Sequence, residues 1–167
     1  MVKLIKVKPF DINYQPDIRP INTVLYQLKE DYTAAFMAKS VYNGKNYSDL
    51  YTIEIPMGFY CDGQSVPQFL WWCMRPDGLV RMAALIHDAL YRSEGGKQVP
   101  IVGGRNDGVI ITVKRFGRCY FNRKSCDLIY REFYKKFAPK EKNKANIGYR
   151  MLRIFGKKHF GNEMPNG

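Results

Sequence analysis

Histidine, tryptophan and acid are scarce in this chain: it has 2 His, 2 Trp and 15 Asp+Glu against 27 Lys+Arg, a formal charge of +12 over 167 residues. No apolar run approaches the roughly 20 residues needed to span a bilayer. The start, Met1-Val2-Lys3-Leu4-Ile5-Lys6-Val7-Lys8, lacks the continuous apolar core of a signal peptide, so folding in a cytoplasm is expected. The four cysteines (Cys61, Cys73, Cys119, Cys126) contain no C-x-x-C pair, which argues against a structural zinc site. Without an oxidising compartment they are expected as reduced, partly buried thiols rather than a disulfide framework.

What is abundant is apolar material and positive charge. At 46% hydrophobic and 14% aromatic residues the chain can build one core. The charge is segregated: residues 1–113 hold 12 Lys+Arg against 11 Asp+Glu, and residues 114–167 hold 15 against 4. Such asymmetry points to partners, either nucleic acid, an anionic membrane or an acidic protein, unless it is only a solvated helical face.

Periodicity predicts an α+β fold, a small N-terminal antiparallel β-sheet packed with a bundle of three to four helices. Strands are expected at Val2–Val7, Thr23–Leu28, Ala34–Val41 and Leu50–Ile55, with Asn43-Gly44 as a turn. Helices are expected from Asp77 to Tyr91, with Leu79, Met82, Ala83, Ile86 and Leu90 inward, and from Arg123 to Phe137, with Cys126, Tyr130, Phe133 and Phe137 inward. A third, from Lys142 to Phe155, has Ile147, Met151, Ile154 and Phe155 as its apolar stripe. Val109–Val113 and Cys119–Phe121, separated by Phe116-Gly117, read as a β-hairpin inserted between helices. Residues 1–139 are expected as one domain and 140–167 as a basic helical C-terminal extension.

The sharpest chemical feature is His87-Asp88-Ala89-Leu90-Tyr91. Tyr91, at i+4, shares a face with His87, whereas Asp88 points about 100° away. Asp127 is the acid nearest the apolar stripe of the next helix; facing His87, it would fix the ring's tautomer and stabilise its charged form. A His with a buried carboxylate is the minimum for a general base that activates water. A hydrogen bond that only staples two helices is the competing reading. Upstream, Asp62-Gly63 in a tight turn exposes backbone groups that would bind an oxyanion at Gly63 and Ser65, or offer oxygen ligands from Asp62 to Ca²⁺ or another divalent ion beside Asp88. Ser65 lacks the G-x-S-x-G setting of a nucleophile and reads better as a helix cap before Trp71 and Trp72. Lys135, Lys136, Lys140, Lys142, Lys144, Lys157 and Lys158 are candidate docking residues for an acidic neighbour or for phosphates.

Met57-Gly58-Phe59-Tyr60-Cys61-Asp62-Gly63-Gln64-Ser65-Val66-Pro67, Leu70-Trp71 and Ala84-Leu85-Ile86-His87-Asp88-Ala89-Leu90-Tyr91 together resemble a phage and prophage family catalogued as domain of unknown function 1353. Its members carry G-F-x-T-D-G-x-S-V-P, then H-D-x-L-Y, then a helix opening near an Arg and containing an Asp, here Arg123 and Asp127. Cys61 stands where the family usually has Thr. The resemblance spans about residues 50–137 and implies a bacteriophage origin; synthesis in the host cytoplasm, and a place in the virion such as the tail or baseplate among other phage structural proteins, are expectations built on that origin. A more distant similarity is to secreted and viral phospholipases A2, which also place H-D-x-x-Y on a helix opposite a C-D pair. That analogy implies His87 as general base, Asp127 as its partner, Tyr91 as support and Asp88 as a calcium ligand. The glycine-rich calcium loop and disulfide framework of those enzymes are not reproduced.

Overall fold

The computed structural model describes residues 1–10, 17–20, 26–61, 80–97 and 108–161. Its largest element is a hairpin of two long strands, β4 (Tyr32–Tyr42) and β5 (Lys45–Ile55), in register from Tyr32↔Ile55 to Tyr42↔Lys45. Asn43 (φ 49°) and Gly44 (φ 73°) close it, the left-handed pair that a two-residue turn between twisted strands requires. Burial alternates along both strands, with Tyr32, Ala34, Phe36 and Ala38 inward from β4 and Tyr51, Ile53 and Ile55 inward from β5. β1 (Lys3–Pro9) pairs antiparallel with β4, with a register shift between Leu4 and Lys6.

Two short strands complete this sheet, β7 (Ile110–Val113) beside β5 and β8 (Gly117–Arg118) outermost, in the order β1-β4-β5-β7-β8. A second sheet joins β2 (Ile18–Pro20), β3 (Tyr26–Leu28) and β6 (Tyr60–Cys61). The expected hairpin between helices is therefore present, but its second strand begins two residues earlier than predicted. Lys114–Phe116 form the turn, and Gly117 (φ 74°) opens β8 because a three-residue loop needs a left-handed residue on leaving the turn. Cys119–Phe121 then leave the hairpin. Cys119 N–H still donates to Ile111 O (2.9 Å), but Phe121 N–H donates to Gly95 O (2.9 Å) and Phe121 bridges Val2.

The described residues include three α-helices, α1 (Val80–Arg92), α2 (Arg123–Phe137) and α3 (Lys142–Phe155); α2 packs on β1 and on α1, and α3 packs on α2. The fold is α+β, as expected. Asn122 caps α2 by accepting from Ser125 N–H (2.9 Å), and the Ser125 hydroxyl in turn accepts from Leu4 N–H (2.9 Å), tying the helix start to β1. Phe133 of α2 meets Phe36 edge-on (centroids 6.1 Å apart, planes at 87°), and Phe36 stacks on Tyr51 at 5.5 Å. The inward residues expected of α2 are placed so, with Cys126, Tyr130 and Phe133 buried and Phe137 partly buried. The expectations for Thr23–Leu25, Asp77–Leu79 and the Trp71–Trp72 segment lie outside the described residues.

Helix α3 corrects its predicted stripe. Its buried residues are Ala145, Gly148 and Leu152, while Ile147, Ile154 and Phe155 stay exposed. Small side chains let the helix lie close to α2, and this rotation turns Arg153 inward to meet a buried carboxylate. Residues 142–155, expected in a C-terminal extension, lie against α2 along this face. No helix among the described residues is long and apolar enough to cross a membrane.

Candidate functional site

Helix α1 is buried on nearly all sides, from Met82 to Tyr91 with Ala84 the one half-buried residue, so any polar group on it must find partners within the protein. His87, Asp88 and Tyr91 do so on two different faces. On one, His87 and Tyr91 stand one turn apart with ring centroids at 4.0 Å. Both reach the same atom of α2: His87 Nε2 lies 3.2 Å from Asp127 Oδ1, and Tyr91 donates its hydroxyl to Asp127 Oδ1 at 2.5 Å. Tyr130, one turn along α2, packs edge-on against His87 at 5.2 Å.

Asp127 is completely buried (0% exposed) and His87 nearly so (1%). A lone carboxylate there would be driven to protonate. Arg153 of α3 prevents this by donating from Nη1 to Asp127 Oδ2 at 2.7 Å. Burial alone pushes the Asp127 pKa up, but hydrogen bonding and charge from His87, with the bonds from Tyr91 and Arg153, outweigh it and hold the carboxyl below its ordinary value. The Tyr91 hydroxyl moves the other way. Burial, then the neighbouring Asp127 charge, raises its pKa, so it remains a donor. Both Asp127 oxygens are thus bonded, and His87 keeps Nδ1 as the nitrogen turned away from the dyad.

Contacts from three further residues, Arg123, Gly161 and Phe160, hold this arrangement. Arg123, the first residue of α2, donates to the carbonyls of Leu152 (3.0 Å) and Arg153 (3.2 Å), satisfying the last turn of α3 and anchoring the backbone that carries Arg153. Gly161 N–H donates to Tyr91 O at 2.9 Å, and Phe160 packs edge-on against the Tyr91 ring at 5.3 Å. The chain after α3 thereby lies over the Tyr91 side of the cluster.

Asp88 takes a different direction. Its Oδ2 accepts from the Cys61 thiol of β6 at 3.0 Å, away from the Asp127 cluster. Among the described residues no group of three His, Cys, Asp or Glu is placed to hold a metal ion. Asp88 by itself offers one carboxylate where Ca²⁺ takes six to eight oxygens. Asp62, Gly63 and Ser65 lie outside the described residues. A cavity of about 450 Å³ is lined by Ile5, Lys39, Ser40, Asn46, Tyr47 and Ser48 and contains none of the His87 cluster.

The candidate docking lysines do not form one patch of equal character. Lys135 is half-buried and paired with Glu132 (3.3 Å), and Lys144 is paired with Glu141 (3.1 Å). Lys136, Lys140, Lys142, Lys157 and Lys158 are exposed.

Comparison with known proteins is decided by the span that carries these residues. The family model described as Protein of unknown function (DUF1353) matches residues 35–151, from within β4 to near the end of α3. The chain belongs to that family. The span that matches DUF1353 contains His87, Asp88, Tyr91 and Asp127, and it stops two residues short of Arg153. No curated protein and no solved structure matches the chain.

Arg153 is the residue of the site that sequence reasoning missed. Its signal was present but weak: a cation one position before an apolar residue of a predicted stripe, 26 residues from the carboxylate it neutralises.

Proposed function

We propose that this member of DUF1353 is a bacteriophage protein with a hydrolase-like site, in which His87 is the general base and Asp127 its orienting partner. One observation carries the reading: Asp127 engages Nε2 of His87 while Tyr91 and Arg153 bond to the same carboxylate. A base is useful only if its tautomer and ring position are held, and this chain of contacts holds both. With Nε2–H donated to Asp127, Nδ1 is the basic nitrogen. It would take a proton from water as the water attacks an ester or amide carbon, and return that proton to the leaving group. Asp127 stabilises the imidazolium in between. Since His87 is 1% exposed, turnover on this reading requires the cover over the ring to open. The phage assignment rests on the resemblance of the 57–67 and 84–91 segments, and a place in the virion is part of the proposal.

The enclosure favours a second reading, in which the protein is a non-catalytic component of the particle and the cluster is an internal staple. Arg153 and Asp127 form a paired charge with His87 and Tyr91 bonded onto it, which is what a closed polar network needs to be tolerated in a core. Activity assays on ester, phospholipid and cell-wall substrates separate the two, with wild type compared against His87→Asn and Asp127→Asn. The hydrolase reading expects turnover that falls about 100-fold or more in His87→Asn while circular dichroism and thermal unfolding stay close to wild type. Absence of turnover by the wild-type protein on all three classes, with His87→Asn lowering only stability, overturns it in favour of the staple.

A further inference from the structure

The near balance of charge over residues 1–113 hides a local excess on the outward face of the five-stranded sheet. Strand β1 carries a bulge. It pairs Lys3 with Val41 and Leu4 with Ser40, then shifts, so that Lys6 faces Lys39 and Ile5 is the extra residue. The shift keeps Leu4 and Val7 inward and leaves Lys3, Ile5, Lys6 and Lys8 exposed. Three consecutive rows of this face follow from the pairing: Lys3–Val41–Asn46, Lys6–Lys39–Ser48 and Lys8–Met37–Leu50. They hold four lysines, all exposed, and no Asp or Glu.

Lys6 and Lys39 stand directly across from each other, where Cβ atoms are about 5 Å apart and like charges are destabilising. Among the described residues neither ammonium is paired with an acid. Along β5 the next acid on the same face is Glu54, six residues beyond Ser48, while Asp49 points inward and pairs with Arg115. Beside the two lysines lies the cavity of about 450 Å³, with Lys39, Asn46, Tyr47 and Ser48 in its wall and the bulged Ile5 at its margin. A bulge re-aims side chains, and here it sets a repelling pair of cations next to a cleft.

We propose that this cleft binds a small organic phosphate of sugar-phosphate size, its phosphate held between Lys6 and Lys39 and its hydroxylated body set against Asn46 and Ser48. A phosphate monoester carries a charge of about −1.5 to −2 near neutral pH, so it neutralises both ammonium groups, whereas a carboxylate would leave one unpaired. The amide and the hydroxyl each donate and accept, which suits sugar hydroxyls. The volume falls within the range of about 300–1,000 Å³ usual for small-molecule sites. A single-stranded nucleic acid is a poorer fit, because it needs a free aromatic face on which bases stack. Tyr47 does not offer one: Arg115 lies over its ring at 5.3 Å and Phe116 meets it edge-on at 5.2 Å. The proposal goes beyond the catalytic reading and does not depend on His87.

The test is isothermal titration of the full-length protein with ribose 5-phosphate, ribose, inorganic phosphate and a short oligothymidylate. Wild type is compared with Lys6→Gln/Lys39→Gln and with Lys140→Gln/Lys157→Gln, which removes the same charge from exposed positions elsewhere. Ribose 5-phosphate is expected to saturate a single site on the wild type, inorganic phosphate to bind more weakly, and ribose not to bind. Affinity for ribose 5-phosphate should fall about tenfold or more in Lys6→Gln/Lys39→Gln and stay near wild type in the other variant. Without ligand, Lys6→Gln/Lys39→Gln should melt at or above the wild-type temperature, because a repulsion is removed. Absence of saturable binding overturns the proposal, as does an equal loss in both variants, which would mean net charge alone. Inorganic phosphate binding as tightly as ribose 5-phosphate would show that the cleft contributes nothing. Tighter binding of oligothymidylate, lost with Lys6 and Lys39, reassigns the face to nucleic acid. A melting temperature of Lys6→Gln/Lys39→Gln well below wild type also refutes it, since the two cations would then be holding the fold.

Discussion

Replacing Gly156 by Ala is expected to destabilise the protein by about 1–3 kcal/mol through a single contact. Gly156 follows α3 at φ −70°, ψ −8°, where an alanine backbone fits without strain. Helix propensity taken alone would favour the substitution by up to about 1 kcal/mol. Sterics oppose it: a Cβ at this position lies 2.6 Å from the Tyr91 hydroxyl oxygen and 3.2 and 3.3 Å from ring carbons Cε1 and Cζ. The ring has little room to move, because its hydroxyl is bonded to Asp127 at 2.5 Å and its faces and edges meet His87 and Phe160. Either the end of α3 lifts away or Tyr91 gives up a bond to a buried carboxylate, worth about 1.5–3 kcal/mol. The net is a loss, and each kcal/mol lowers the melting temperature of a chain this size by about 2–4 °C. Urea unfolding of Gly156→Ala, Tyr91→Phe and the double variant measures it. Tyr91→Phe removes the atom at 2.6 Å and leaves the two looser contacts, so the cost of Gly156→Ala should drop by about 1 kcal/mol or more in that background. An unchanged cost in the Phe background, or a neutral single variant, would refute the packing of Gly156 on Tyr91.

Two further outcomes are expected. Asp127 titrates below its unfolded value of 3.8, so its stabilisation is complete above that pH and fades as pH falls through the lower folded value. The gap in urea midpoint between wild type and Asp127→Asn should therefore be constant from about pH 7 to 5 and narrow below about pH 4; a gap that widens on acidification would contradict the ion-pair assignment. Gly95→Ala should lose about 3 kcal/mol or more, since φ is +69° and the new Cβ would stand 2.0 Å from Phe121 O, where α1 hands over to the strand bridge with Val2. A wild-type melting temperature for that variant would show that the 95–121 contact is wrongly placed.

Local chemistry made much of the architecture legible before any coordinates. Asn43-Gly44 dictates a left-handed two-residue turn, and the alternation on either side of it dictates a half-buried hairpin. The amphipathic run with Cys126, Tyr130, Phe133 and Phe137 on one side forms α2 over the predicted residues, Arg123–Phe137. The i, i+4 spacing of His87 and Tyr91 placed them on one face, and the presence of an acid, Asp127, on the apolar side of α2 was enough to expect their meeting. These inferences succeed because period and turn conformation depend on residues adjacent in the chain.

What sequence could not decide was how charge would be balanced through space. Apolar weight alone chooses Ile147, Met151, Ile154 and Phe155 as the packing face of α3. The fold instead buries Ala145, Gly148 and Leu152, because the small Ala145 and Gly148 allow close approach and because that rotation brings Arg153 to a carboxylate that burial would otherwise neutralise. Asp88, already expected on another face of α1, meets the Cys61 thiol, 27 residues away in the chain, a pairing that no local period shows. The sequence by itself determined the long hairpin, the helices and three members of the cluster, His87, Tyr91 and Asp127, because these follow from period and turn chemistry. Only the tertiary structure decided that Asp127 is shared among three partners, because His87, Tyr91 and Arg153 reach it from two other helices, 26 to 40 residues away in the chain.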